Sequence, residues 1–148
     1  MINVKSEDAI VKNLFVYGTL MSGQRAAEKM SDGKYLGDYR LDGYAMYNLG
    51  RYPGIIPMQG ACVYGELDEI SEEMIPALDE YEEEGSLYHR REVPVNAYDW
   101  KKEFPRVEDG NSEGNRNPQP ANETAEAIVY VYAQEVKGDV MKHPWGRK

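Results

Sequence analysis

One carboxylate stands out in the sequence because of its place on a helix face. Ile75, Leu78 and Glu82 recur at i, i+3 and i+7, which puts their side chains on one stripe of a helix. The two apolar residues must face the protein interior, so Glu82 is expected to point the same way. Burial raises the pKa of a carboxyl group towards neutrality, where it can take up and return a proton. The spacing therefore predicts that Glu82 acts as a general acid and base.

A second interpretation of Glu82 is purely structural. In it, Glu82 ends the helix and pairs with Arg90 or Arg91, and periodicity alone leaves both interpretations open. Glu83 and Glu84 are rotated away from the apolar stripe and are expected to be solvated charges.

The turn Tyr17-Gly18-Thr19-Leu20 is the second candidate site. It follows a short apolar run from Leu14, which is typical of a buried strand that ends in a turn. Such a turn leaves several backbone N–H groups unpaired, and these can bind a carboxylate or a developing oxyanion. Gly18 would let a ligand approach the backbone closely. The alternative is an ordinary connection between a strand and a loop.

The elements that would position these groups are mostly strands. Six or so short strands separated by Gly and Pro predict an α+β fold, with a small, mostly antiparallel, barrel-like core and one main packed helix. Gly43 breaks the tyrosine-rich run 34–49 as a bulge would. Two later strands alternate: Val93, Val95 and Ala97 share one face, and Val129 and Val131 lie opposite Tyr130 and Tyr132.

The main helix is predicted from Ser71 to about Glu83, with Ser71 as its cap. Pro76 is tolerated only in a first turn, so the helix is expected to start a residue or two later. A shorter helix is predicted from about Gln24 to Met30.

The length of 148 residues predicts a single domain, 1–148, with a core at about 14–133. A polar, flexible insertion is expected at about 104–124, because residues 108–123 include no large apolar side chain. Both a functional lid and a passive, solvated loop fit this composition.

Composition excludes several classes of function. The net charge is −9 and basic residues are scattered, which argues against a nucleic-acid partner. No apolar run approaches the ~20 residues needed to cross a membrane, and the first residues lack a signal-peptide core. The lone Cys62 fits a reducing compartment, so a cytoplasmic location is expected. His89 and His143 lack metal-ligand spacing, so neither a metal nor another cofactor is expected.

Three segments resemble the gamma-glutamylcyclotransferase-like proteins, in the order in which that family has them. FVYGTLMSGQ (15–24) resembles the opening signature, Tyr-Gly-Ser/Thr-Leu after a first strand. VYGEL (63–67) resembles the central Val-x-Gly-Glu-Leu/Val strand, and LDEYEEEGSLYHRREV (78–93) resembles a segment with Leu-Asp-x-Phe/Tyr-Glu and Leu-Tyr-x-Arg. The resemblance spans about residues 14–132 and is greatest to the gamma-glutamylamine cyclotransferase branch.

The resemblance implies an enzyme that converts a small gamma-glutamyl amine or amino acid into 5-oxoproline and releases the amine. The substrate's own α-amine attacks its γ-carbonyl, so the protein orients groups, stabilises charge and moves protons. The family's catalytic Glu corresponds to Glu82, and its substrate-binding loop corresponds to Tyr17, Gly18, Thr19 and Leu20. Tyr88 matches the tyrosine of Leu-Tyr-x-Arg and is expected either to reach the substrate or to belong to the core.

The sequence departs from the family pattern directly after the catalytic position. Many relatives have Gly there, whereas Glu83 and Glu84 precede Gly85 in this chain. The alternative function is a non-catalytic module that binds a small carboxylate on the same fold. Loss of the interior carboxylate would favour that module, and Glu82 is present.

Overall fold

The structure is a computed structural model that describes residues 10–24, 27–30, 32–105 and 123–147. Within these ranges the strands are β1 (Val11–Val16), β2 (Lys34–Asn48), β3 (Pro53–Ser71), β4 (Tyr88–Ala97), β5 (Thr124–Tyr132) and β6 (Val140–Met141). Helix α1 (Ile75–Glu82) lies between β3 and β4 and is preceded by a 3₁₀ turn at Glu72–Met74. A second 3₁₀ turn spans Ala27–Met30.

The strands close into a barrel-like sheet. The order is β3-β1-β5-β4-β2, and an additional pairing of β2 with β3 closes the circle, while the short β6 pairs with β2. Only the pairing of β1 with β5 is parallel among these strands; the others are antiparallel. The predicted α+β fold, with a mostly antiparallel, barrel-like core and one main helix, is confirmed.

Two groups of buried side chains follow from the alternation along the strands. One group fills the barrel and includes Val93, Val95, Val129 and Val131. The other lies on the opposite strand faces, where Leu14, Val16, Ile128 and Tyr130 pack with Leu78 of α1. Because successive strand residues point to opposite faces, the predicted separation of the valines from Tyr130 is confirmed.

The prediction of short strands was wrong for β2 and β3. Strand β2 is 15 residues long and β3 is 19 residues long, and β3 contains the segment 63–67. Within the pairing of β2 with β3, residues 58–61 bulge opposite Gly43, between the pairs Asp42–Cys62 and Tyr44–Pro57. Pro57 is thus the paired residue that borders the bulge, and the edge of a bulge is a place in a sheet that tolerates a proline.

Helix α1 begins at a position that places Pro76 in its first turn. The α-helical turn starts at Ile75, with the proline in its first turn, while Ser71 makes no side-chain capping bond, so its predicted role was wrong. The shorter helix predicted at 24–30 is reduced to the 3₁₀ turn Ala27–Met30. No helix in the described ranges is both long and apolar enough to span a membrane.

Most of the predicted insertion at 104–124 lies outside the described residues. Its ends do not match a polar, flexible segment. The ring of Phe104 lies 5.3 Å from that of Tyr64, and Thr124 is the first residue of β5 and pairs with Asn96. Both ends therefore belong to the folded structure.

Candidate active site

A cavity of about 200 Å³ lies where the end of β1 meets the end of α1. Strand β3 contributes its first residue, Pro53, and β4 and β5 contribute Tyr88 and Tyr130. The structure therefore brings together every site residue predicted from the sequence. The lining residues are Phe15, Val16, Tyr17, Gly18, Thr19, Leu20, Tyr52, Pro53, Tyr81, Glu82, Glu83, Leu87, Tyr88 and Tyr130.

The turn after β1 forms one wall of the cavity. The N–H groups of Gly18, Thr19 and Leu20 donate no hydrogen bond to any described residue, so they are available to a ligand. A turn of the chain is closed by the Met21 N–H, which donates to the Gly18 carbonyl at 3.0 Å. A Cβ atom at Gly18 would lie 2.7 Å from Cγ of Pro53, so only glycine fits at this point of the turn.

Glu82 forms the opposite wall. It is the last residue of α1, is partly buried, and makes no hydrogen bond or ion pair with a described residue. Burial raises the pKa of its carboxyl group from 4.5 to about 7. A carboxyl group with that pKa is divided between its protonated and ionised forms near neutral pH, which suits proton transfer in both directions.

One hydrogen bond joins the two walls. The hydroxyl groups of Thr19 and Tyr81 lie 2.7 Å apart, and either can donate. Since Tyr81 precedes Glu82 on α1, this bond fixes the turn relative to the helix end that carries the carboxylate. Lys29 is exposed, and its Nζ lies 4.9 Å from the centre of the Tyr81 ring.

Two tyrosines that line the cavity with Glu82 have their hydroxyl groups engaged elsewhere. Tyr17 donates to the Tyr130 carbonyl at 2.6 Å, and Tyr88 donates to the Pro53 carbonyl at 2.6 Å. Burial, reinforced by the charge of Glu82, raises the pKa of both phenols, so they remain neutral. Tyr88 thus lines the cavity, while its hydroxyl donates to the backbone, and its contact with a substrate stays a prediction.

Arg90 does not neutralise Glu82. Its Nε donates to Oδ1 of Asp79 at 2.8 Å, and the same oxygen accepts a 2.6 Å hydrogen bond from the Tyr130 hydroxyl. Glu82 does end the helix, as the structural interpretation expected, but its pairing with Arg90 or Arg91 is not found. Asp79 orients Tyr130 through this bond.

Glu83 explains the departure from the family pattern. It caps α1 with φ of 53° and ψ of 55°, in the left-handed region that favours glycine. The position directly after Glu82 thus has a backbone conformation that favours glycine, the residue that the family pattern is expected to have there. Glu83 and Glu84 are both exposed, although Glu83 also lines the cavity mouth.

Several lining residues were not singled out in the sequence. Tyr81 and Leu87 lie within the resembling segment 78–93, whereas Tyr52 lies outside all three segments, and residue type alone did not distinguish any of them from core residues. Tyr130 was placed on the face opposite the valines, and that alternation was the signal that it faces α1. Among the described residues, no group of three His, Cys, Asp or Glu side chains could hold a metal ion.

Comparison with known proteins places the chain in a family. The family described as "Gamma-glutamyl cyclotransferase, AIG2-like" matches residues 14–147. A gamma-glutamylcyclotransferase family protein of Escherichia coli K12 is 34% identical over 99 residues, covering 66% of this chain and 86% of the relative. The gamma-glutamylaminecyclotransferase of Mus musculus is 31% identical over 99 residues, covering 60% of this chain and 66% of the relative.

Solved structures agree on the fold. The crystal structure of an AIG2-like protein from Mus musculus superposes with a TM-score of 0.66 at 24% identity, covering 85% of this chain and 80% of that chain. An uncharacterised protein from Pyrococcus horikoshii gives a TM-score of 0.58 at 21% identity, with coverage of 88% and 86%. The chain belongs to the gamma-glutamyl cyclotransferase, AIG2-like family.

Proposed function

We propose that this protein cyclises a γ-glutamyl amine to 5-oxoproline and releases the amine, with Glu82 as general acid and base. The supporting observation is a partly buried carboxyl group of pKa about 7 that lies across a small cavity from the N–H groups of Gly18, Thr19 and Leu20. Neither the carboxyl group nor these N–H groups make a hydrogen bond to a described residue. One wall can exchange protons and the other can bind an anion. Together these are the two groups that an intramolecular acyl transfer requires.

The proposed reaction needs no protein nucleophile. Ionised Glu82 takes a proton from the substrate's α-ammonium group, and the neutral nitrogen attacks the γ-carbonyl carbon to close the five-membered ring. Protonated Glu82 then gives this proton to the leaving nitrogen as its bond to the γ-carbon breaks. The ring nitrogen still carries one proton too many, which the regenerated Glu82 carboxylate takes up and passes to the released amine, so the products are the neutral lactam and an ammonium ion. The N–H groups of Gly18, Thr19 and Leu20 receive the substrate's α-carboxylate and hold the chain folded for ring closure.

The charge around the cavity supports an amine over an amino acid as the leaving group. No lysine or arginine is among the described lining residues, whereas Glu82 and Glu83 are. A leaving amino acid would place its carboxylate beside these acids, with no lysine or arginine among the described lining residues to pair with it. A leaving amine brings no such charge. The mouse relative, whose name specifies a γ-glutamylamine, supports the same choice.

The test is a panel of γ-glutamyl compounds that share the glutamyl group. It compares γ-glutamyl alkylamines with γ-glutamyl amino acids of matched side-chain length, and 5-oxoproline is quantified by mass spectrometry. We expect turnover of the alkylamines, with at least tenfold lower kcat/KM for the amino acids.

Two outcomes would contradict this proposal. Equal turnover of both groups would contradict the choice of leaving group. Absence of 5-oxoproline from every compound, together with binding of free glutamate or 5-oxoproline in calorimetry, would instead identify the chain as a binding module.

A further inference from the structure

A buried ion cluster lies behind the turn that follows β1. It consists of Lys101, Asp38 and Glu66, and we call it the Lys101 cluster. Nζ of Lys101 lies 2.8 Å from Oε2 of Glu66 and 3.2 Å from Oδ1 of Asp38. The side chains are 6% exposed for the lysine and 3% exposed for both acids. Burying three charges costs several kcal/mol for each unless hydrogen bonds compensate, so the remaining partners of each acid matter.

Glu66 also accepts hydrogen bonds from Ser22, a residue of the turn that follows β1. Oε1 of Glu66 accepts a hydrogen bond from the Ser22 N–H at 2.9 Å, and Oε2 accepts one from the Ser22 hydroxyl at 2.6 Å. Ser22 directly follows Met21, whose N–H closes the turn on Gly18. The two bonds to an ionised acceptor are of the stronger, charge-assisted kind.

Asp38 has no such contact with the turn. Its Oδ1 accepts a 2.6 Å hydrogen bond from the Tyr35 hydroxyl, in addition to the ion pair with Lys101. The two acids are therefore alike in burial and in their shared lysine, but only Glu66 contacts residues of the turn.

The turn is held at three points along its length. Gly18 packs against Pro53 at the start of β3, Thr19 is hydrogen-bonded to Tyr81 on α1, and Ser22 is hydrogen-bonded to Glu66 in β3. Glu66 is the only ionised contact of the three. Without it, the end of the turn at Ser22 would lose the two hydrogen bonds that join it to Glu66.

We propose that Glu66 is a positioning residue for the cavity, because it fixes the turn so that the N–H groups of residues 18–20 face the bound anion. The inference rests on the proposed function in one respect, the assignment of those N–H groups to the substrate. Lys101 supports the role indirectly, since its Nζ lies 2.8 Å from Oε2 of Glu66 and helps to hold that side chain in place.

The test compares Glu66→Gln with Asp38→Asn as a matched control. A Gln side chain replaces one carboxylate oxygen with an NH2 donor. That donor would face either the Ser22 N–H or Nζ of Lys101, so Gln cannot keep the contacts with Ser22 and Lys101 as Glu66 makes them. Both variants remove one charge from the Lys101 cluster and should lower the melting temperature. We expect Glu66→Gln alone to raise KM about tenfold, while kcat changes less than threefold. Asp38→Asn should leave KM unchanged.

Ser22→Ala is a second variant that tests the same contact, and it remains informative if Glu66→Gln does not fold. It leaves the Lys101 cluster intact and removes one of the two hydrogen bonds, so KM should rise about threefold. A KM that is unchanged in both Glu66→Gln and Ser22→Ala, or that rises equally in Glu66→Gln and Asp38→Asn, would overturn the proposal.

A second measurement separates this inference from the proposed function. Amide hydrogen exchange of a peptide covering residues 17–22 reports the turn directly and needs no substrate. Exchange should be faster in Glu66→Gln than in wild type and unchanged in Asp38→Asn. If the wild-type protein turns over no γ-glutamyl compound, the proposed function fails. The role of Glu66 is rejected by a different result, which is equal hydrogen exchange of this peptide in Glu66→Gln and Asp38→Asn.

Discussion

Replacing Glu82 with Gln should change activity and stability in opposite directions. The amide keeps the size of the side chain but cannot carry the proton, and general acid–base catalysis is worth ~10²–10⁴-fold. We therefore expect turnover to fall by that order. Wild-type kcat/KM should in turn decrease below an apparent pKa near 7, since the base must be ionised and burial raises the pKa of Glu82 to about 7.

The effect on stability follows from the same pKa. Since it is raised in the folded state, the stability given by protonation is present in full below about pH 4.5 and is lost as the pH rises through about 7. The difference between the two values corresponds to about 3 kcal/mol. Because the carboxyl group is only partly buried, solvent screening reduces this, and we expect Glu82→Gln to be about 1–2 kcal/mol more stable than wild type at pH 8.

The assay pairs 5-oxoproline release at pH 8 with thermal unfolding at pH 8 and pH 4.5. A gain of 1–2 kcal/mol corresponds to about 2–8 °C at pH 8 for a chain of this size, and it should disappear at pH 4.5. Glu83→Gln is the matched control, because Glu83 is the next residue and is exposed. Turnover that survives in Glu82→Gln but is lost in Glu83→Gln would show that the carboxylate has been placed one residue too early. A variant that is inactive and also less stable at pH 8 would refute the burial argument.

Two further substitutions test the backbone and the electrostatics. Glu83→Gly should raise the free energy of unfolding by about 1 kcal/mol, because the left-handed backbone at φ 53° costs a non-glycine residue about that much; a loss of stability in urea unfolding would contradict this. Asp68 is 7% exposed, and burial, followed by the charge of Glu66, raises its pKa to about 7. At pH 8, Asp68→Asn should therefore be more stable than wild type by at most about 4 kcal/mol, and near pH 4 the two should be equally stable. If urea unfolding shows the same gain at both pH values, ionisation of Asp68 is not the cause of the gain.

The sequence was sufficient for features that depend on local periodicity. The valine and tyrosine faces of β5 follow from alternation, and Glu82 follows from the stripe that it shares with Ile75 and Leu78. Such patterns extend over a few residues, so each can be recognised without knowledge of the rest of the fold.

Features that depend on distant pairing could not be predicted in this way. Barrel closure pairs Val11 with Ser71 and Leu14 with Ile128, and nothing in either segment specifies its partner. The Lys101 cluster has the same origin, because Lys101 meets Glu66 only through the turn after Tyr98. The length of β3 could not be predicted for a related reason, since the bulge beside Pro57 is recognisable only against the opposite strand.

The bulge at residues 58–61 has a consequence for how the chain can vary. It separates the part of β3 that begins at Pro53 from the part that contains Glu66, and both parts contact the turn after β1. A one-residue insertion in a regular strand turns every later side chain to the other face. An insertion within the bulge is instead absorbed by exposed, unpaired backbone. The bulge in β3 can therefore differ in length between relatives, or accept a short peptide label after Gln59. In either case the contacts of Pro53 and Glu66 with the turn after β1 keep their orientation.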